Sequence, residues 1–147
     1  MNMSLSDWLE KGWLVKHKPN RREIRELLGI ADRAISDAQA KGISADARLS
    51  IAHNAALQLA AATLAATGYR VGREAHHYRT IQSLAFTIGV NTDMVDQLDS
   101  FRKKRNISDY ERVGAVSEHE AREMLTLAKT LRETVTVWLK NNYPELI

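Results

Sequence analysis

Apolar side chains recur at spacings of three and four along most of the chain, the mark of helices with one buried face. Ile24, Leu27, Leu28, Ala31, Ala34, Ile35 and Ala38 form one such stripe. Lys18-Pro19-Asn20 precedes it, where proline breaks any earlier helix, and Asn20 has Glu23 three positions on to cap the new one. Gly42 closes that helix, and Ser44 caps the next, over about 45–67. This segment is apolar nearly all round, from Ile51 and Ala52 through Leu57, Leu59 and Leu64 to Ala66, so it belongs at the centre. Its alanines allow neighbouring helices to approach closely. Thr67-Gly68 ends it, and residues 69–75 read as a basic, glycine-containing loop. A helix over about 76–88 buries Ile81, Leu84, Ala85 and Ile88 and stops at Gly89. Asn91 or Thr92 starts another, which buries Met94, Val95, Leu98 and Phe101 before Val113-Gly114 breaks it. Ser117 and Glu120 form a capping box for the last helix. That helix buries Ala121, Met124, Leu125, Ala128, Leu131, Val135, Trp138 and Leu139, ending before Pro144. Ser4 and Asp7 open a short N-terminal helix carrying Trp8 and Leu9, with Trp13 following. No strand pattern competes. The expected fold is all-α: an antiparallel four- to five-helix bundle with a short extra N-terminal helix. It forms one domain over 1–147, with residues 1–19 as N-terminal helix and linker and 20–143 as bundle.

Composition narrows the chemistry. A chain of 147 residues with 44% hydrophobic and 27% charged residues suits one globular domain. It has no cysteine, which removes disulfides, thiolate zinc sites and thiol nucleophiles together. The longest apolar stretch, Ala55 to Ala66, is interrupted by Gln58 and Thr63 and is too short to cross a bilayer. Met1 to Leu14 carries acidic residues and no long apolar run, unlike a secretory signal. A cytoplasmic protein with no membrane partner is expected. No two histidines have metal-binding spacing on a helix, and no phosphate loop, dinucleotide fingerprint or serine-hydrolase elbow occurs, so no metal and no cofactor are expected.

The net charge of +3 is unevenly placed: residues 1–25 carry +3, with six basic side chains against three acidic, and residues 69–112 carry +2. The run Arg102-Lys103-Lys104-Arg105 concentrates it. Arg105 comes seven residues after Leu98, where the stripe calls for a hydrophobe, and Arg102 comes four after it. Asn106 and Tyr110 continue the same face. A guanidinium there must meet water, an anion, a carboxylate or another subunit, because burying it alone is costly. Its planar fork suits phosphate. A plainer account pairs Arg105 with Asp109 and leaves Lys103 and Lys104 as a solvated face.

Arg105-Asn106-Ile107-Ser108-Asp109-Tyr110 resembles the signature of the HEPN superfamily (higher eukaryotes and prokaryotes nucleotide-binding): an arginine, a polar residue that is often asparagine, three variable residues and a histidine. Its place on the helix before the last fits that superfamily's bundle. Trp8-Leu9-x-x-Gly12-Trp13-Leu14, Arg33-x-x-x-Asp37-Ala38, Tyr69-Arg70 and His76-His77 with Ile81 are similar to a bacterial branch of it, over most of residues 5–140. The resemblance implies a HEPN-like bundle, a homodimer, RNA or a nucleotide as ligand, and a toxin–antitoxin or defence setting. It also implies a possible nucleotidyltransferase-type antitoxin as partner. Family members resembling metal-independent endoribonucleases use the arginine on phosphate and the histidine in proton transfer. Carried over, Arg105 holds phosphate, Asn106 orients it, and Tyr110 stands at the histidine position.

That departure matters, since histidine titrates near pH ~6.5 and tyrosine near ~10. Tyrosine can donate a hydrogen bond or stack on a base but is a poor base at neutral pH. The expectation is therefore a nucleic-acid- or nucleotide-binding protein with a degenerate ribonuclease motif. An active endoribonuclease and a dimeric interaction module that binds no nucleic acid are the alternatives. His76 and His77 follow a basic loop at a helix start that an antiparallel bundle can bring to Arg105. One sharp expectation is a phosphate pocket of His76 or His77 with Arg79, Arg102 and Arg105. The bland one has one histidine capping its helix and the other in water. His53 reads as a hydrogen-bonded core residue, or with Asn54 as part of that pocket. His17 and His119 read as surface, and Trp8, Trp13 and Trp138 as core or interface.

Overall fold

Hydrophilic caps and glycine stops divide the chain as its pattern requires. The computed structural model describes residues 4–72, 76–110 and 115–147, without the side chains of 107–110. The described residues form helices α1 (Leu5–Glu10), α2 (Arg21–Ala38), α3 (Ala45–Ala66), α4 (His76–Gln82), α5 (Thr92–Tyr110) and α6 (Glu118–Asn142). Two 3-10 turns, Ser83–Ala85 and Pro144–Leu146, complete the helical part. Side chains of Ser4, Asn20, Ser44 and Ser117 accept the backbone N–H three residues on, and Asn91 does the same for Met94. Each cap satisfies a donor that the first helical turn leaves open.

The fold is an all-α bundle built round α3, which packs most extensively on α2 and α6 and also meets α4 and α5. Leu49, Leu59, Ala52, Ala55, Ala60 and Ala62 are fully buried there. Among the described residues, only α3 is long and apolar enough to cross a membrane, and 72% of that window is buried inside the fold. Arg48, near the start of α3, donates from Nε to the Ala38 carbonyl at 2.8 Å and from Nη2 to the Ala40 carbonyl at 2.7 Å. It thereby closes the carbonyl end of α2 and sets the two helices running oppositely. Asp46 accepts the Val116 N–H at 3.3 Å, so α3 and α6 begin at the same end. Arg132 on α6 grips Asp32 on α2 with two hydrogen bonds, of 2.6 and 3.0 Å.

Several expectations need correction. A short antiparallel sheet exists: β1 (Leu14–Lys16) pairs with β2 (Tyr69–Val71), Leu14 opposite Val71 and Lys16 opposite Tyr69. Strands of three residues are too short for alternation to register, and the pairing partner is remote in sequence. Gly68, at φ 98°, turns the chain out of α3 into β2. At Gly72 a Cβ would lie 3.3 Å from the Gly12 carbonyl oxygen, so any larger residue would push the two segments apart by a few tenths of an ångström. The expected helix 76–88 is α4 followed by a 3-10 turn. The hydroxyls of Thr80, Ser83 and Thr87 bond back to the carbonyls of His76, Thr80 and Ser83, competing with the helical ladder. Leu27, Leu28, Ile35, Ile88, Met94, Leu125 and Trp138 are half-buried and Ala85 is exposed, whereas Leu127 takes a core position. His17 is not on the open surface: its imidazole lies 2.7 Å from the Glu23 carboxylate and tethers the linker to α2. The expected break at Val113-Gly114 and the loop residues 73–75 lie outside the described residues.

A second, smaller core joins the N-terminal segment to the bundle. Trp8 packs with Leu14 and Leu64, its ring edge-on to Trp13 at 5.8 Å and to Phe86 at 5.2 Å. Because Ala60 is fully buried at the centre of the core, Ala60→Leu has nowhere to place its added atoms. It should lower stability by about 1–3 kcal/mol in urea denaturation, whereas Val137→Thr, on an exposed position of α6, should leave the midpoint nearly unchanged.

Candidate functional site

The inner face of α5 runs through Val95, Leu98 and Phe101, all buried, and then turns cationic. Arg102 and Arg105 are half-buried and Asn106 is exposed. Arg102 donates from Nε to Asp99 Oδ1 at 2.7 Å, and Asp99 is itself only 9% exposed. Lys103 Nζ lies 3.7 Å from the same carboxylate, and Lys104 Nζ lies 3.4 Å from Glu120. The carboxylate that holds Arg102 in place is a residue the sequence reading passed over, although its i, i+3 spacing on a helix was a usable signal.

Helix α4 packs against α5. His76, His77 and Tyr78 face Arg102 round a pocket of about 480 Å³. The Arg102 guanidinium stands 5.5 Å from the Tyr78 ring centre, and the two imidazoles are 5.4 Å apart. Burial lowers the pKa of His77, and the nearby charges of His76, Arg105 and Arg102 lower it further. His53, on α3, lies beneath the same cations. Its Nε2 donates to the Leu98 carbonyl at 3.1 Å, and its Nδ1 is buried with no hydrogen-bond partner among the described residues. Burial takes its pKa to about 4; the Leu98 bond opposes that shift, and Arg105, His77 and Arg102 add to it. Both imidazoles are thus held toward the neutral form.

Arg105 also lines a groove of about 350 Å³ where three helices meet, opposite Arg33 and Asp37 of α2 and Ser50 and Asn54 of α3. Arg102 thus shares one hollow with His76 and His77, Arg105 shares another with Asn54, and the charge of Arg105 reaches His77 between them. Arg79 is placed elsewhere. Its guanidinium lies 3.5 Å from the Trp13 ring centre and 5.9 Å from that of Trp8, a cation–π stack that ties α4 to the N-terminal segment. His119 is on the surface beside Glu123, 2.9 Å away. The side chains of Tyr110 and Asp109 lie outside the described residues, and with them the expected Arg105–Asp109 pair. Among the described residues no cluster of three or more metal-ligating side chains occurs.

No family model matches this sequence, and no curated protein matches it significantly. What the geometry offers chemically is an Arg102-lined recess walled by the His76 and His77 imidazoles, suited to phosphate oxygens.

The depressed pKa of His53 has a consequence for stability. Below pH ~6.5 the unfolded chain takes up a proton at this residue that the folded chain refuses until pH falls to about 4. Stability contributed by the neutral imidazole is complete above pH ~6.5 and falls by about 3 kcal/mol as the pH drops to 4. His53→Gln keeps an N–H donor for the Leu98 carbonyl and removes this titration. Urea midpoints measured between pH 7 and 4.5 should fall more steeply for the wild type than for the variant.

Proposed function

We propose that this chain is a HEPN-like nucleic-acid-binding protein whose arginine cluster holds RNA phosphate and whose ribonuclease motif is degenerate. The observation that carries the reading is Arg102 facing His76 and His77 across α4 and α5, with Arg105 close enough for its charge to act on His77. Like charges gathered there repel one another, and a bound polyanion offsets that repulsion. The sequence adds Asn106 beside Arg105 and a tyrosine, Tyr110, where the resembled motif has its proton-transferring histidine. Binding by arginine survives that exchange; proton transfer by the motif does not. The same reading makes the protein a homodimer with two Arg105 side chains serving one ligand. It sets the protein in a bacterial toxin–antitoxin or defence system, with a nucleotidyltransferase-type antitoxin as a candidate partner.

A second reading is favoured by one feature. Burial and neighbouring charges hold His77 toward the neutral form within the electrostatic reach of Arg105, as a general base beside a phosphate-binding arginine would be. The chain would then be a metal-independent endoribonuclease with its histidine drawn from α4 in place of Tyr110.

Labelled single-stranded RNA titrated with the protein in excess EDTA separates the two. The binding reading expects an affinity that falls steeply with salt. It expects Arg105→Ala to weaken binding roughly ten-fold or more, the scale of one charged hydrogen bond, and the RNA to remain intact. Cleavage lost in both Arg105→Ala and His77→Ala establishes the enzymatic reading instead. Equal binding by wild type and Arg105→Ala, or none by either, defeats both.

A further inference from the structure

The exposed side of α2 carries a row of arginines that neither the bundle nor the α4–α5 recess uses. Arg21, Arg25 and Arg33 fall at intervals of four or eight residues, with Gly29 completing the row. They border a shallow groove of about 700 Å³, in which Glu26 is the one acidic residue, and it is held by Arg22 at 3.1 Å. Arg21, Arg25 and Arg33 have no carboxylate partner among the described residues. This groove shares Ile30 and Arg33 with the groove that Arg105 lines, so the two are continuous. From Arg21 to Arg33 the row covers roughly 18 Å of helix.

Two features of the row make no sense for the isolated fold. Arg21 and Arg22 stand in the first turn of α2 with Arg25 close behind, where the helix dipole disfavours positive charge. Gly29 sits inside the helix although a Cβ there would meet nothing within 4 Å, so neither packing nor backbone conformation requires it. A helix-interior glycine weakens the helix relative to alanine. Its effect on the surface is to bare the backbone at the middle of the arginine row.

We propose that this row is a track for the sugar–phosphate backbone of single-stranded RNA, leading along α2 into the Arg105 groove. The proposal rests on the nucleic-acid-binding reading and extends it to residues outside the motif. One arginine per turn or two contacts successive phosphates, and Gly29 with Ile30 lets the strand lie close to the helix. A second copy of the chain is a poor occupant, because the face would meet its own positive charge. A lipid surface is a poor one as well: α2 holds none of the large apolar side chains found exposed among the described residues, which are Val15, Tyr78, Phe86 and Val137.

The test uses the full-length protein and the same labelled single-stranded RNA, with affinity measured against salt. Replacing Arg21, Arg25 and Arg33 together by alanine should weaken binding at least thirty-fold and reduce the slope of log affinity against log salt by about 2. The thermal midpoint of that variant should stay level or rise, since the charges oppose the helix dipole. Gly29→Ala should raise the midpoint and weaken binding several-fold, a combination that misfolding cannot produce. An unchanged salt slope in the triple variant, with binding still lost in Arg105→Ala, overturns the track and leaves the nucleic-acid reading intact. No RNA binding by the wild type overturns both. Retention of wild type but not the triple variant on phosphatidylserine vesicles, with RNA affinity equal in the two, assigns the row to lipid and overturns the proposal.

Discussion

A single buried hydrogen bond fixes where the cations stand. The His53 imidazole, fully enclosed, donates to the Leu98 carbonyl and so joins the central helix to α5 one turn before Arg102. Burial keeps that ring uncharged, and an uncharged ring can sit under two guanidinium groups without repelling them. Were the ring protonated, its charge would add to those of Arg102 and Arg105, and the end of α5 would be pushed from the core. The register of α5 on α3, and with it the position of Arg105 opposite Asn54 and Arg33, depends on this neutral donor.

The Asp99 carboxylate works on the same problem from the other side. It holds Arg102 and draws in Lys103, which lowers the local repulsion while leaving the guanidinium against Tyr78. Arg48 does comparable work at the far end of α2 by taking the carbonyl of its last residue, Ala38, and that of Ala40 in the turn beyond. Arg48, Lys104 and Arg132 connect helices, whereas Arg21, Arg25 and Arg33 on the outer side of α2 have no carboxylate partner among the described residues.

Most of the fold was legible because its signals are local. Asn20, Ser44 and Ser117 cap the helices they were expected to cap, and the all-round apolar character of 45–66 placed α3 at the centre. The β1–β2 pair was not legible, since Leu14 and Val71 meet only after the bundle has formed. The 3-10 turn after Gln82 escaped notice because the apolar spacing of Ile81, Leu84 and Ala85 suits either helix type; the hydroxyls decide it. At the site, periodicity alone exposed Arg102 and Arg105 as misfits on an apolar face. The basic stretch and helix start brought His76 and His77 into the same picture. Arg79 went astray because its spacing says nothing of Trp13, a residue on another element that offers a flat aromatic face. Arg21 and Arg25 count only toward the basic excess of residues 1–25, and Arg33 toward its motif with Asp37; the continuity of the two grooves joins the three.

The stack of Arg79 on Trp13 also links the cationic recess to an optical signal. Arg79 belongs to α4, the helix that begins with His76 and His77, while Trp13 and Trp8 form the N-terminal aromatic cluster with Phe86. Indole emission responds to a cation on the ring face, so a movement of α4 relative to the N-terminal segment alters the surroundings of the Trp13 ring. The protein carries its own reporter next to the recess, readable without dye or label.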